Sequence, residues 1–204
     1  MSDAAPIDFW FSLGSTYSFL SAMRLGDVSR ETGIPFRWRP FNVRSIMQAM
    51  DNRFLAGKPE KYAYMWNDIS RRAGAYGIVA NVPVPHPIKQ IERANRVGVL
   101  AAEEGWCEAY ARGAFRRWFE QGQEPGSEPN VSESVREAGQ DAARVLAWAE
   151  TTEADVALSA ATAEAKALGI FGSPNFVVGG TELFWGDDRL VDAISWYRHG
   201  RVVV

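Results

Sequence analysis

Ser15 is the first residue whose type and place suggest chemistry. It follows the β-branched and aromatic run Ile7 to Leu13 and Gly14, and precedes a helical pattern carrying Phe19, Leu20, Met23, Leu25 and Val28. A residue there stands at a helix N-terminus, where unpaired backbone N–H groups and the positive dipole end favour an anion. Two roles fit. The hydroxyl caps the helix, or it donates a hydrogen bond to a bound anion such as a thiolate. A hydrolase nucleophile does not fit: no G-x-S-x-G elbow surrounds Ser15, and neither His86 nor His199 has an orienting carboxylate beside it.

The segment Phe171-Gly172-Ser173-Pro174-Asn175 is the second candidate. Proline is permitted at a strand start. A cis Ser173–Pro174 bond would turn the Ser173 backbone toward whatever lies above the first helix. An extended ligand would then pair with it as an added strand. A trans bond would only end a loop. Asp187 and Asp188 come next. Both suit a helix start, and one facing outward would accept a ligand ammonium group. Asn52 and Lys61 are polar residues that either cover a solvated surface or reach a ligand carboxylate. Cys107, among Trp106, Tyr110 and Ala111, reads as a buried thiol. His86, between Pro85 and Pro87, reads as a loop residue.

Composition narrows the chemistry. The 204 residues are 47% apolar and 23% charged, with a net charge of -3, which is ordinary for a globular protein and argues against a nucleic-acid binder. The single cysteine excludes an internal disulfide, a two-cysteine redox motif and a multi-cysteine metal site. Two histidines leave little for a histidine-rich one, so no metal is expected. No apolar run approaches the roughly 18 residues of a membrane span. Met1 to Pro6 lacks a basic region leading into an apolar stretch, so the expected compartment is the cytoplasm. Eight tryptophans are the one oddity, and fit either bulky core packing or an aromatic pocket.

These candidates need elements to hold them. Ile7 to Leu13 predicts a buried strand, the pattern after Ser15 a helix ending near Thr32-Gly33, and Ile34 to Phe41 a second strand. From Asn42 to about Gly169 the pattern is helical: Pro59 to Gly77, Ile88 to Glu104, Trp106 to Gln121, Val131 to Ala138, Asp141 to Glu150 and Glu153 to Leu168. Asn175 to Val178 and Thr181 to Trp185 around Gly179-Gly180 predict a hairpin. A last helix starts at Asp187 and carries Leu190, Val191, Ile194 and Trp196. The order is β-α-β, a long helical block, then β-β-α. Each flank lacks half a sheet, so the expected fold is α/β: one mixed sheet interrupted by a helical insertion. The sheet domain is expected from residues 1–41 and 170–204, the insertion from 42–169.

Together these segments resemble the 2-hydroxychromene-2-carboxylate isomerases, which group with the kappa-class glutathione transferases. Phe11-Ser12-Leu13-Gly14-Ser15-Thr16-Tyr17-Ser18-Phe19 is similar to the opening motif F-D-F-x-S-P-Y-S-Y. Asn52, then Pro59 to Asp68, is similar to G-N-x-P…P-x-K-x-x-Y-x-x-x-D. Gly169 to Gly180 and Leu183 to Leu190 resemble the cis-proline hairpin and the G-x-D-R helix start. The resemblance runs from about residue 7 to 198. It implies a thioredoxin-like fold with a DsbA-type insertion. Ser15 falls where the family's serine contacts the glutathione sulfur. Ser173 and Pro174 fall where the backbone pairs with its cysteinyl part. Asp187 and Asp188 fall where the γ-glutamyl end is held, Asp188 being the aspartate of G-x-D-R. Asn52 and Lys61 fall among polar residues lining the cleft. Three positions depart from the pattern: Thr16 for proline, Ser12 for aspartate, and Ser173 for an apolar residue.

The implied activity is a glutathione-dependent cis/trans isomerisation of an aromatic 2-oxo acid, in a homodimer. A kappa-type transferase or peroxidase would use the same sulfur site but consume glutathione. A non-catalytic thiol- or peptide-binding protein would bind and turn nothing over.

Overall fold

The computed structural model describes residues 5–52 and 57–203. Its sheet has four strands, β1 (Ile7–Phe11), β2 (Phe36–Pro40), β3 (Asn175–Val178) and β4 (Glu182–Trp185), in the order β2-β1-β3-β4. β1 is parallel to β2 and antiparallel to β3, and β3 is antiparallel to β4. Helix α1 (Thr16–Thr32) makes the crossover between the parallel pair, as two parallel strands require. Between β2 and β3 come α2 (Val43–Ala49), α3 (Pro59–Ala75), α4 (Ile91–Glu104), α5 (Cys107–Gln121), α6 (Asn130–Glu137), α7 (Ala142–Ala149) and α8 (Thr152–Ala167). A 3-10 turn (Asp187–Arg189) and α9 (Leu190–His199) close the described chain.

β1 is central and every residue of it is buried, which is why it reads as a continuous apolar run instead of an alternating one. One face carries Phe9, Phe11 and Phe176 against α1 and α5, where Phe19 and Phe119 stack at 3.8 Å. The other carries Trp10 and Val177 against Phe41, Ile46 and Ala165. The polar member, Asp8, is matched in register by Arg37 on β2, whose Nη2 stands 2.7 Å from Asp8 Oδ2.

The expected helical block carries one helix that the sequence does not single out, α2, started by the Asn42 side chain accepting the Ser45 N–H at 3.3 Å, and one expected helix start is corrected. At seven residues it is too short for a periodic pattern to stand out. The last helix starts at Leu190 instead of Asp187, and no side chain caps it. Asp187 turns sideways to other helices instead. The other helices agree within three residues of their expected ends. Among the described residues, no helix is long and apolar enough to cross a membrane.

Candidate functional site

Ser15 is the N-cap of α1 in an extended conformation, and its Oγ accepts the Ser18 N–H at 3.2 Å. The same hydroxyl donates to the carbonyl oxygen of Ser173 at 3.0 Å. The Ser173–Pro174 bond is cis. The half-buried side chain therefore both caps α1 and bridges to the cis-proline loop. The Ser15 N–H closes a turn on Ser12 O at 2.9 Å. Gly14 lies within that turn beneath α4, where a Cβ would stand 2.5 Å from Ile91 Cδ1. A side chain there would force the Ile91 side chain to shift.

Thr16, in the place of a proline, points inward and donates to Met65 Sδ on α3 at 3.4 Å. Tyr17 OH donates to Asp68 Oδ2 on α3 at 2.9 Å. Burial and the Asp68 carboxylate push the Tyr17 phenol well above its ordinary range, so it stays a neutral donor.

The two aspartates of the 3-10 turn separate. Asp187 is 2% exposed. Its Oδ1 accepts from Ser21 Oγ at 2.9 Å and Arg24 Nη2 at 2.7 Å, and its Oδ2 from Tyr76 OH at 3.1 Å. Arg24 also lies over the Tyr76 ring, 3.8 Å from its centre. This carboxylate ties α1, the 3-10 turn and the end of α3 together, and is fully engaged inside the protein. Asp188 is exposed, with Arg189 3.4 Å away. Asn52 and Lys61 are exposed and flank residues 53–56, which lie outside the described residues. Neither is hydrogen-bonded to Ser15, Ser173 or Asp188 among the described residues.

Aromatic side chains stand on both sides. Next to Met65 on α3, Tyr62 and Trp66 surround the His86 ring at 5.9 and 5.8 Å, and Tyr62 OH donates to His86 O at 3.1 Å. Burial, then the Arg44 charge, lowers the His86 pKa to about 4. On the hairpin side, Phe171 and Trp185 make an exposed ring pair at 4.7 Å. The sequence presented His86 as a loop residue. Its aromatic surroundings come from Tyr62 and Trp66, which the sequence places on one face of α3 together with Ile69 and Ala73. Cys107 is buried, its thiol raised far above the ordinary range by burial. The two described cavities, about 640 and 470 Å³, are not lined by Ser15, Ser173 or either aspartate.

A helix-start serine held against a cis-proline loop, on a β-α-β/β-β-α sheet interrupted by helices, defines a thioredoxin-like class. The chain belongs to the DSBA-like thioredoxin domain family, matching it over residues 6–194. Among curated proteins it is similar to the 2-hydroxychromene-2-carboxylate isomerase of Sphingobium xenophagum, at 25% identity over 90% of this chain and 93% of that one. A solved structure of 2-hydroxychromene-2-carboxylate isomerase superposes with a TM-score of 0.81 at 24% identity, covering 91% of both chains. The cytosolic disulfide reductase DsbM from Pseudomonas aeruginosa, solved with GSH, matches at a TM-score of 0.61 and 14% identity, covering 95% of this chain and 96% of that one. At those identities the two solved structures speak to the fold.

Proposed function

We propose that the protein is a glutathione-dependent isomerase of the 2-hydroxychromene-2-carboxylate type. The observation that carries this reading is the Ser15 hydroxyl at the N-terminus of α1, 3.0 Å from the carbonyl before the cis-proline. The donor set fits glutathione. Ser15 and the first turn of α1 suit a sulfur anion. The Ser173 backbone suits the cysteinyl amide, by strand-like pairing. Asp188 is the carboxylate left facing outward for the γ-glutamyl ammonium group, while Asp187 holds the turn from behind. Asn52 and Lys61 contribute polar reach from the insertion, and Pro174 fixes the loop that presents Ser173.

Bound glutathione would supply a sulfur nucleophile for reversible addition to a conjugated carbon and would be regenerated unchanged. The protein's part is to keep the sulfur ionised near neutral pH, where a free thiol, titrating near ~8.5, is mostly protonated. Ser15 donates to it and the helix end adds positive potential. Phe171 and Trp185 offer exposed apolar faces to a conjugated ring, with Tyr62 partly exposed on α3. The sheet domain of residues 1–41 and 170–204 would supply the sulfur site and the insertion of residues 42–169 the opposite wall, in a cytoplasmic homodimer.

The test is the dependence of 2-hydroxychromene-2-carboxylate isomerisation on reduced glutathione. Turnover that requires glutathione and leaves it unconsumed supports the reading. Turnover indifferent to glutathione rejects it, and a stable conjugate or oxidised glutathione assigns a transferase or peroxidase instead.

A further inference from the structure

Two of the positions at which this chain departs from the isomerase pattern, Ser12 and Ser173, are bonded to each other. The Ser12 N–H donates to Ser173 Oγ at 3.0 Å. Ser12 is fully buried, so an apolar side chain at position 173 would leave that N–H without this acceptor. Ser173 Oγ thus serves a backbone N–H at the end of β1 that does not depend on the side chain at position 12.

The chain of bonds continues into α4. Ser12 Oγ accepts from Asn95 Nδ2 at 3.1 Å. The second Nδ2 proton goes to Ile91 O at 2.8 Å, and Asn95 Oδ1 accepts the Leu13 N–H at 3.0 Å. Both amide protons and the amide oxygen of this buried side chain are therefore in use. At the other end, Ser173 Oγ and Ser18 Oγ share a hydrogen bond of 2.8 Å. The Ser173 carbonyl receives the Ser15 hydroxyl at 3.0 Å. One asparagine thus grips the turn leading into Ser15 and, through Ser12, the loop that Ser15 contacts.

We infer that Asn95 is a positioning residue for Ser15, acting through Ser12 and Ser173 to hold the two walls of the sulfur site in register. Asn95 makes no hydrogen bond to Ser15 itself among the described residues. The catalytic readout of this inference rests on the proposed function, whereas its geometry does not.

The test uses Asn95→Ala and the milder Ser173→Ala, with the wild-type protein beside them. In crystal structures of the unliganded variants, the Ser15 Oγ to Ser173 O separation is expected to open beyond hydrogen-bond range. With glutathione bound, thiolate ultraviolet absorbance is expected to titrate closer to the free-thiol value of ~8.5. Turnover should fall by roughly tenfold or more, since small misplacements of a reacting group are costly, with KM for glutathione changing less than kcat. Ser12→Ala added to Asn95→Ala should cost little more, because the residues act as one unit. Variants that melt lower yet keep the Ser15–Ser173 bond, the thiol titration and the turnover would show Asn95 to be structural only, and overturn the inference. If wild-type protein fails to bind glutathione, the proposed function fails, and the crystallographic separation still decides the positioning role.

Discussion

The Ser15 hydroxyl spans 158 residues of sequence to donate its proton to the Ser173 carbonyl oxygen. That proton is the one a bound sulfur anion would need. The oxygen it occupies is also the acceptor an extended ligand would pair with. A ligand N–H arriving at Ser173 O would take over that bond and leave the Ser15 proton to turn toward sulfur. Glutathione methylated on its cysteinyl nitrogen cannot make the exchange. Its bound thiol is expected to titrate nearer the free value than that of glutathione itself. Equal titrations, read by ultraviolet absorbance, would contradict the exchange.

Ser15 carries two roles that substitution can separate. Ser15→Ala removes both the cap and the hydroxyl. It should cost about 1 kcal/mol of stability and lower turnover by about a hundredfold, as loss of one preorganised donor typically does. Ser15→Asn keeps a capping oxygen but not the hydroxyl. It should restore the urea midpoint without restoring turnover.

Adjacent aspartates are expected to behave differently. Asp188→Asn should raise KM for glutathione by about tenfold, or ~1.4 kcal/mol of binding, with the melting temperature unchanged. Asp187→Asn leaves Arg24 without its ion-pair partner and disturbs the Ser21 and Tyr76 bonds. It should lower stability by about 2 kcal/mol. Urea unfolding of the two variants distinguishes them.

His86 should make stability depend on pH. Its folded-state pKa is lowered to about 4 from an ordinary value of 6.5. Between those values the unfolded chain binds a proton that the folded chain does not. The His86 contribution is therefore fully present above pH 6.5 and is lost as pH falls toward about 4. The decline in urea midpoint from pH 7 to pH 5 should be smaller in His86→Asn than in the wild type. An identical decline would remove His86 from the account.

Much of the fold is legible in the sequence because its determinants are local. Ile7 to Leu13 is a buried-strand run, Gly33, Gly105 and Gly122 stop their helices in the left-handed conformation, and Gly179-Gly180 turns the hairpin. Ser15 is legible as a helix-start serine for the same reason. What the sequence hides is lateral. Asp187 and Asp188 look alike in one dimension, and only the approach of Ser21, Arg24 and Tyr76 buries the first. Asn95 sits on the apolar face of α4 beside Ile91, Ala94 and Val97, where its amide looks like an interruption until the β1–α1 turn is laid over it. Ser12 and Ser173 read as isolated departures, although their hydrogen bond crosses 161 positions of sequence.

Calorimetric titration of the purified protein with reduced glutathione tests the central claim most directly. Saturable binding at one site per chain, weakened about tenfold in Asp188→Asn, is the predicted result. No heat of binding at millimolar glutathione would contradict the sulfur site.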